Sequence, residues 1–463
     1  MKLLKGRTPF RRGAVKAGRA GDDGLPLSDR LVLAVLFVFL AVEVFQGALR
    51  YFFTLIGAPF LIYFPKLLVT AAFIGLAFKT ARTMRISRPV FGVLTLFMVF
   101  VAVGVHYTGN LMQALFGLFA LLPLLFAVLA ELAVVRMGQR LVPYVALLWL
   151  CAAIGLVYDY FADLPWWDLA YQLGIWELEG SRGLATFGIK RLAGFSRAFY
   201  DVAEQLLFLA LTWVILGKRV SLTILVWIAT GALIVLTTSK KTVGVYLFLT
   251  LLLPLMGVRL VPGGFKRAVT GIIPLLVALI GIALPVSTLF VSYRLSIHSY
   301  VSRFLFASFE DRLTWCWPDA FSLVFDHGSM LLGRGIGGIG VAQHYFEPQL
   351  YSPADNLYLY LYATFGVMSL VLIAIYVASV CRLNVRQDSW ARLMWFLGIA
   401  ALMSGWAANG LEGPFTSTIL GLTFAYADRR RRAVVGARAQ PGGAMHGVWH
   451  GGRYVGSRGD SIS

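Results

Sequence analysis

Gly333-Arg334-Gly335-Ile336-Gly337-Gly338-Ile339-Gly340, followed by Ser352-Pro353-Ala354-Asp355-Asn356-Leu357-Tyr358, is a glycine-rich, polar, partly charged stretch that runs straight into a long hydrophobic segment. That contrast decides the fold class. Away from a few such stretches the chain is apolar: 59% of its 463 residues are hydrophobic, 14% are charged and the mean hydropathy is +0.77. This composition belongs to an all-α, polytopic integral membrane protein and excludes a soluble enzyme. Chemistry must then sit in the polar segments between spans, and the glycine-rich stretch reads as the mouth of a site.

At about 20 apolar residues per crossing, about twelve spans fit. They lie near 31 to 49, 61 to 78, 89 to 107, 111 to 133, 141 to 158, 198 to 216, 220 to 237, 242 to 257, 268 to 290, 357 to 380, 392 to 408 and 411 to 427. Basic residues close to span ends stay on the cytoplasmic side. The ends and loops that this count puts there hold about 29 of the 41 lysines and arginines, including Arg429-Arg430-Arg431-Arg432. Both termini are expected in the cytoplasm, as a basic tail over 1–30 and a disordered, glycine- and arginine-rich tail over 433–463, flanking a transmembrane domain over 31–432. The net charge of +19 follows from this asymmetry and from attraction to anionic membrane lipids. It is not read as nucleic-acid binding, because no recognition motif accompanies the tails.

Cys151 and Cys381 fall in or at the end of spans, leaving Cys316 alone in an outer loop, so no disulfide framework is expected. No Cys/His cluster has zinc spacing, and His446 and His450 read as solvated tail residues. Gly335-x-Gly337-x-x-Gly340 matches a dinucleotide fingerprint but lacks the strand and βαβ context that the chemistry needs. The expectation is a reaction without metal, cofactor or soluble energy source.

Two long outer loops remain, about 159–197 and 291–356, with the short turn Thr238-Ser239-Lys240-Lys241-Thr242. They carry Arg182, Lys190, Arg191, Arg197, Arg294, Arg303, Arg312 and Arg334, where basic residues should be sparse. An anionic ligand would require them, since guanidinium groups match phosphate oxygens; pairing with Asp163, Asp168, Glu177, Glu179, Glu310 or Asp311, or with lipid phosphates, is the alternative. Near-helical spacing of Val301, Phe304, Leu305, Phe309, Leu313, Trp317 and Phe321 predicts one or two helices on the membrane surface over Ser299 to Phe325. Trp166, Trp167, Trp176, Trp315 and Trp317 suit either an interfacial belt or stacking on sugar rings. Glu43, Asp201 and Glu204 are charges inside spans, which are costly and usually functional; Asp201 and Glu204 share a helix face and can form part of a site or serve as counter-ions for Arg197.

Four local motifs, in order over roughly 185–375, resemble the superfamily of O-antigen polymerases and O-antigen ligases. Arg191-Leu192-Ala193-Gly194-Phe195 resembles its Arg-x-x-Gly-aromatic segment, although Ser196-Arg197-Ala198-Phe199 replaces the polar residues that usually follow. Thr238-Ser239-Lys240-Lys241 stands at its Ser-Arg pair, with Lys for Arg. Asp311-Arg312-Leu313-Thr314-Trp315 and Leu332-Gly333-Arg334-Gly335-Ile336-Gly337 resemble its Arg-x-x-x-Trp helix and glycine loop, and Asp355-Asn356-Leu357-Tyr358-Leu359 its His-Asn-x-x-Leu segment, with Asp in place of His.

The resemblance implies a multi-pass enzyme of the bacterial inner membrane, acting on its periplasmic face. A sugar hydroxyl of an acceptor repeat would attack the anomeric carbon of a glycan linked to polyprenyl diphosphate, which leaves. Arg191, Arg312 and Lys240 or Lys241 are the expected diphosphate contacts, with Arg334 in reserve, and Arg197, Asn356, Asp201 and Glu204 are expected among the substrate-binding residues. Asp355 would serve as base or would only orient the hydroxyl; Asp355-Asn356 also reads as a helix N-cap, which is compatible. The Asp for His favours a polymerase of O-antigen or exopolysaccharide over a ligase to the lipid-A core. Partners implied are membrane lipids and the flippase and chain-length regulator of the same pathway. A flippase for lipid-linked oligosaccharide is the rival from another class, for which an internal repeat is expected and none is evident.

Overall fold

The computed structural model describes residues 25–82, 88–173, 176–186, 188–257, 261–294, 299–385 and 388–438. The chain is nearly all helical. In order come α1 (Leu27–Val44), α2 (Gln46–Leu55), α3 (Phe64–Arg82), α4 (Arg88–Thr108), α5 (Leu111–Met137), α6 (Leu141–Phe161), α7 (Phe199–Leu216), α8 (Val220–Leu236), α9 (Lys240–Gly257) and α10 (Gly263–Ser287). After them come α11 (Tyr300–Asp311), α12 (Trp317–His327), α13 (Val341–Phe346), α14 (Leu357–Phe365), α15 (Met368–Cys381), α16 (Ser389–Ser404) and α17 (Pro414–Arg438). Each of the twelve apolar stretches carries helix. Six helical stretches are long and apolar enough to cross a membrane, or seven if the bent pair α1 and α2 is one span; α8, α15 and α16 are shorter apolar helices. Large apolar side chains such as Phe78, Ile228, Leu251 and Ile272 are exposed, on faces that lipid would cover.

Local chemistry explains the breaks. Asn110 caps α5 by accepting from the Met112 and Gln113 amides, and Gly138, at φ 60°, turns the chain before α6. The bend of 82° between α1 and α2 arises where Gly47 and Ala48 amides donate to Phe195 O, while Glu43 O accepts from Gln205 Nε2, so a loop intercepts the helical ladder. The expected span at 357 to 380 is two helices, because Gly366, at φ 56°, ends α14 against the Leu331 carbonyl. Helix α17 continues through the four arginines to Arg438, past the boundary expected for a disordered tail. The basic N-terminal tail over 1–24, and residues 439–463 with His446 and His450, lie outside the described residues.

The loop at 159–197 departs from the all-α expectation of short helices. It folds into two antiparallel ribbons, β1 (Ala170–Leu173) with β2 (Trp176–Glu179) and β3 (Ala185–Thr186) with β4 (Ile189–Lys190). In the other loop α11 and α12 cover the stretch read as surface helices, but Trp317, Phe321 and Val324 are buried in the core against neighbours that include α14. That apolar face is turned to protein. The side chains of Val301, Arg303 and Leu305, and of Trp176 and Glu177, lie outside the described set.

The glycine-rich stretch differs most from expectation. Residues 333–340 are all buried, wedged between α4 and α5. Ile336 N donates to Phe100 O at 2.9 Å, and Gln113 Nε2 donates to Gly337 O at 2.9 Å. Backbone meets backbone: a Cβ on Gly104 would lie 2.1 Å from Ile336 O, and one on Gly117 2.5 Å from Gly337 N. The glycines do provide a close approach, but to two helices rather than to a ligand.

Candidate functional site

Three cations from three separated segments converge outside the glycine stretch. Arg312 opens a five-residue π-helical turn, Arg312–Cys316, inserted between α11 and α12. Such insertions re-aim side chains and recur at functional sites. Its guanidinium meets Asp355 Oδ2 at 2.9 Å and Ser308 O at 2.6 Å, while its Nε is buried without a partner. Arg191 lies in electrostatic range of Arg312, and Lys240 in range of both. Arg191 covers the Phe199 ring at 4.6 Å, and Lys240 covers the Phe304 ring at 4.8 Å while donating to the Phe304 carbonyl. Neither makes an ion pair among the described residues. Burial, and then the Arg312 charge, hold the Arg191 guanidinium below its ordinary value. Uncompensated positive charge of this kind is what an anion would relieve.

The elements that hold the cluster are specific. Asp159, at the end of α6 and 2% exposed, accepts from the Ala193 and Gly194 amides at 2.8 and 2.9 Å, which fixes the loop that carries Arg191. Gly194, at φ 61°, lets that loop press on the α6 backbone at Gly155. Lys240 starts α9 just after the Thr238 turn. Asp355 stands before α14, whose N-cap is Asn356: its Oδ1 accepts from the Tyr358 and Leu359 amides and its Nδ2 donates to Gly281 O and Trp406 O. The capping reading of Asn356 holds, and all its polar atoms are engaged, so it is not free to bind a substrate.

Other candidates are engaged elsewhere. Lys241 is paired with Glu204, which also accepts from Thr416 Oγ1 at 2.7 Å; both side chains are 12% exposed. Of the two lysines it is Lys240, therefore, that joins the cluster, and Glu204 is the counter-ion of Lys241 rather than of Arg197. Arg334 is 1% exposed and bonded to His327 O, Gly338 O and Glu347, which makes it an internal clasp of the glycine stretch. Its reserve role as a diphosphate contact is corrected accordingly. Arg182 pairs with Glu179, Arg197 approaches the same carboxylate at 3.7 Å, and Lys190 pairs with Asp159 and Asp163. For these the structural pairing holds. Trp166 is buried, bonding to Gly194 O, and Trp317 is fully buried, whereas Trp315 and Trp167 stay open. Cys316, in the π-helical turn, has its thiol pushed up to about 12 by burial and then by Asp355, which removes it as a nucleophile.

A second charged group adjoins the first. Around the bend between α1 and α2, Glu43 lies in electrostatic range of Arg50, Lys66, Arg197 and Asp201, and Asp201 in range of Arg197. Tyr351 lies in range of Asp355, Glu412 and Arg182, so the two groups border one polar region. Asp201 thus belongs with Arg197, apart from the three convergent cations. Asp159, Arg50, Lys66 and Glu412 were not singled out from sequence. The first three were detectable, since each is a lone charge in an apolar stretch, the same signal that picked out Glu43. Among the described residues no group of His, Cys, Asp and Glu could hold a metal ion. Compared with protein-family models and with curated proteins, the chain matches none.

Proposed function

We propose that the chain is an inner-membrane polysaccharide polymerase, crossing the membrane about twelve times with both termini in the cytoplasm. It transfers a glycan from polyprenyl diphosphate to a sugar hydroxyl of an acceptor repeat on the periplasmic face. The observation that carries this reading is the convergence of Arg191, Lys240 and Arg312 beside Asp355, with Arg191 and Lys240 lacking an acidic partner among the described residues. A crossing count above seven is supported by Gly138, which divides the helical run 111–161 into two, and by the shorter apolar helices, which cross in a thinned or tilted setting. The resemblance of the four motifs supports the family.

In this reading a diphosphate docks on Arg191, Lys240 and Arg312 and competes with Asp355 for the Arg312 guanidinium. The freed carboxylate accepts the proton of the acceptor hydroxyl as its oxygen bonds to the anomeric carbon. The bond from that carbon to diphosphate breaks, and its electron pair leaves on the oxygen that the cations stabilise. Lipid-linked repeats, a flippase and a chain-length regulator are the partners this implies. A ligase to the lipid-A core would use the same steps with another acceptor.

The test is reconstitution with lipid-linked repeat units and no ATP. Polymer should lengthen, and Arg191→Ala, Arg312→Ala or Asp355→Ala should each lower the rate by ~100-fold or more while single repeats accumulate. A flippase is the second reading, favoured by the broken pair α1 and α2 with Glu43 beside the break. It would change the sidedness of the repeats and leave their length unaltered.

A further inference from the structure

Between the end of α6, the tip of the β3–β4 ribbon and the end of α8 lies a cleft of about 470 Å³, within the ~300–1,000 Å³ typical of small-molecule sites. Leu192 and Thr238, from two of the motifs, lie on its wall, but most of its lining belongs to none of them. Asp159, Asp163, Lys190 and Thr238 line it with Tyr160 and Phe161. Asp159 Oδ1 there is ion-paired with Lys190 Nζ at 3.0 Å, and Thr238 Oγ1 is buried with no partner among the described residues. Thr238 also sits at φ 57°, a left-handed conformation that a β-branched residue adopts only under constraint. Glycine would make that turn at less cost. Tyr160 is 59% and Phe161 80% exposed, leaving aromatic surface at the rim.

We propose that this cleft is a saccharide subsite that takes the sugar attached to the diphosphate of the donor. The inference rests on the function proposed above and adds a second binding element to it. Charge decides against the cleft as a phosphate site, because two carboxylates face one ammonium and an anion would be repelled. Lys190 already occupies the place between the carboxylates that a cation would need. A neutral polyol fits: its hydroxyls donate to Asp159 and Asp163, accept from Lys190 and exchange with Thr238, while an apolar sugar face rests on an aromatic ring. Lys190 immediately precedes Arg191, and Thr238 stands two residues before Lys240. The cleft and the cation cluster are therefore adjacent along two separate segments, and one glycosyl diphosphate can occupy both.

The experiment uses the full chain in lipid nanodiscs with two probes: a panel of methyl glycosides, followed by saturation-transfer NMR, and inorganic pyrophosphate, followed by calorimetry. At least one glycoside should receive saturation. Asp163→Asn, at a fully exposed side chain, and Thr238→Gly, which relaxes the turn, should each weaken that signal at least five-fold while pyrophosphate binding is unchanged. Arg191→Met should do the reverse. Saturation that is absent, or equal in the wild type and both cleft variants, overturns the subsite; if pyrophosphate still binds and is lost with Arg191→Met, the function stands without it. Pyrophosphate that fails to bind the wild type overturns the function, whatever the glycosides do.

Discussion

Replacing Arg334 with methionine separates scaffold from site. Its guanidinium is 1% exposed and donates to His327 O at 3.0 Å, to Gly338 O at 2.5 Å and to Glu347 at 3.2 Å. Glu347 is itself 16% exposed and also accepts from Gln113 Nε2 at 2.7 Å. Arg334→Met strands that carboxylate beside two unsatisfied carbonyls, and removing one partner of a buried pair costs ~3–5 kcal/mol. Arg191→Met takes away a partly buried cation that has no acidic partner among the described residues and lies near another cation, and should cost nothing or gain ~1 kcal/mol. Thermal unfolding in nanodiscs, followed by tryptophan fluorescence, should therefore rank Arg191→Met at or above the wild type and Arg334→Met far below it. The double variant Arg334→Met/Glu347→Gln should recover part of the loss, since the stranded charge is gone. An Arg334→Met protein that melts with the wild type yet has lost turnover would refute the assignment and return Arg334 to the substrate.

Lys241→Met should destabilise by ~3–5 kcal/mol by isolating Glu204, with Lys241→Met/Glu204→Gln milder than either single change, as read from a double-mutant cycle of melting. Gly104→Ala should cost ~1–3 kcal/mol, because its Cβ would stand 2.1 Å from the Ile336 carbonyl and backbone must move; a melt unchanged from the wild type would refute the packing of the glycine stretch on α4. For Glu179, burial raises the carboxyl, but the charge of Arg182 and its hydrogen bond, with Arg197, outweigh this and hold it below its ordinary 4.5. A depressed folded value stabilises above pH ~4.5 and is lost as pH falls through it. The effect should stay under ~1 kcal/mol, since the side chain is 55% exposed, and Arg182→Ala should flatten the slope of stability between pH 5 and 3.

The helices were legible because each depends on its own window of sequence: twelve apolar stretches gave helices at nearly the stated places. What was illegible depends on partners remote in the chain. The glycines of 333–340 announce a close backbone approach, but not that Gly104 and Gly117, more than two hundred residues earlier, receive it. Lys240 and Lys241 look equivalent in sequence, yet successive helical residues point ~100° apart, so only Lys241 turns to Glu204 while Lys240 faces Arg191 and Arg312. The ribbon of β1 and β2 is four residues a side, too short for its alternation to stand out in an aromatic loop. For the site, Arg191, Lys240, Arg312 and Asp355 lie near one another, whereas Arg334 and Lys241 each have an acidic partner in a buried setting that no spacing revealed.

Asp355 carries a strained backbone near the cation cluster. Ala354 and Asp355 are consecutive non-glycine residues at φ 57° and 43°, a conformation that costs of order 1–3 kcal/mol per residue. The surroundings enforce it from both sides. Upstream, Ala354 is fully buried and the Asp355 amide folds back on Pro353 O at 2.7 Å; downstream, Asn356 is pinned by the start of α14 and by carbonyls of Gly281 and Trp406. An N-cap needs only Asn356, and a relaxed approach to it would leave the preceding side chain free to turn to solvent. The strained turn instead directs Asp355 to Arg312, within reach of the π-helical turn that presents the guanidinium. Two irregular elements, from segments more than forty residues apart, have been bent toward one another. A pair required only for stability would not need to be built at the cost of both; under the proposed function the strain supports a role in which Asp355 exchanges the guanidinium for a proton.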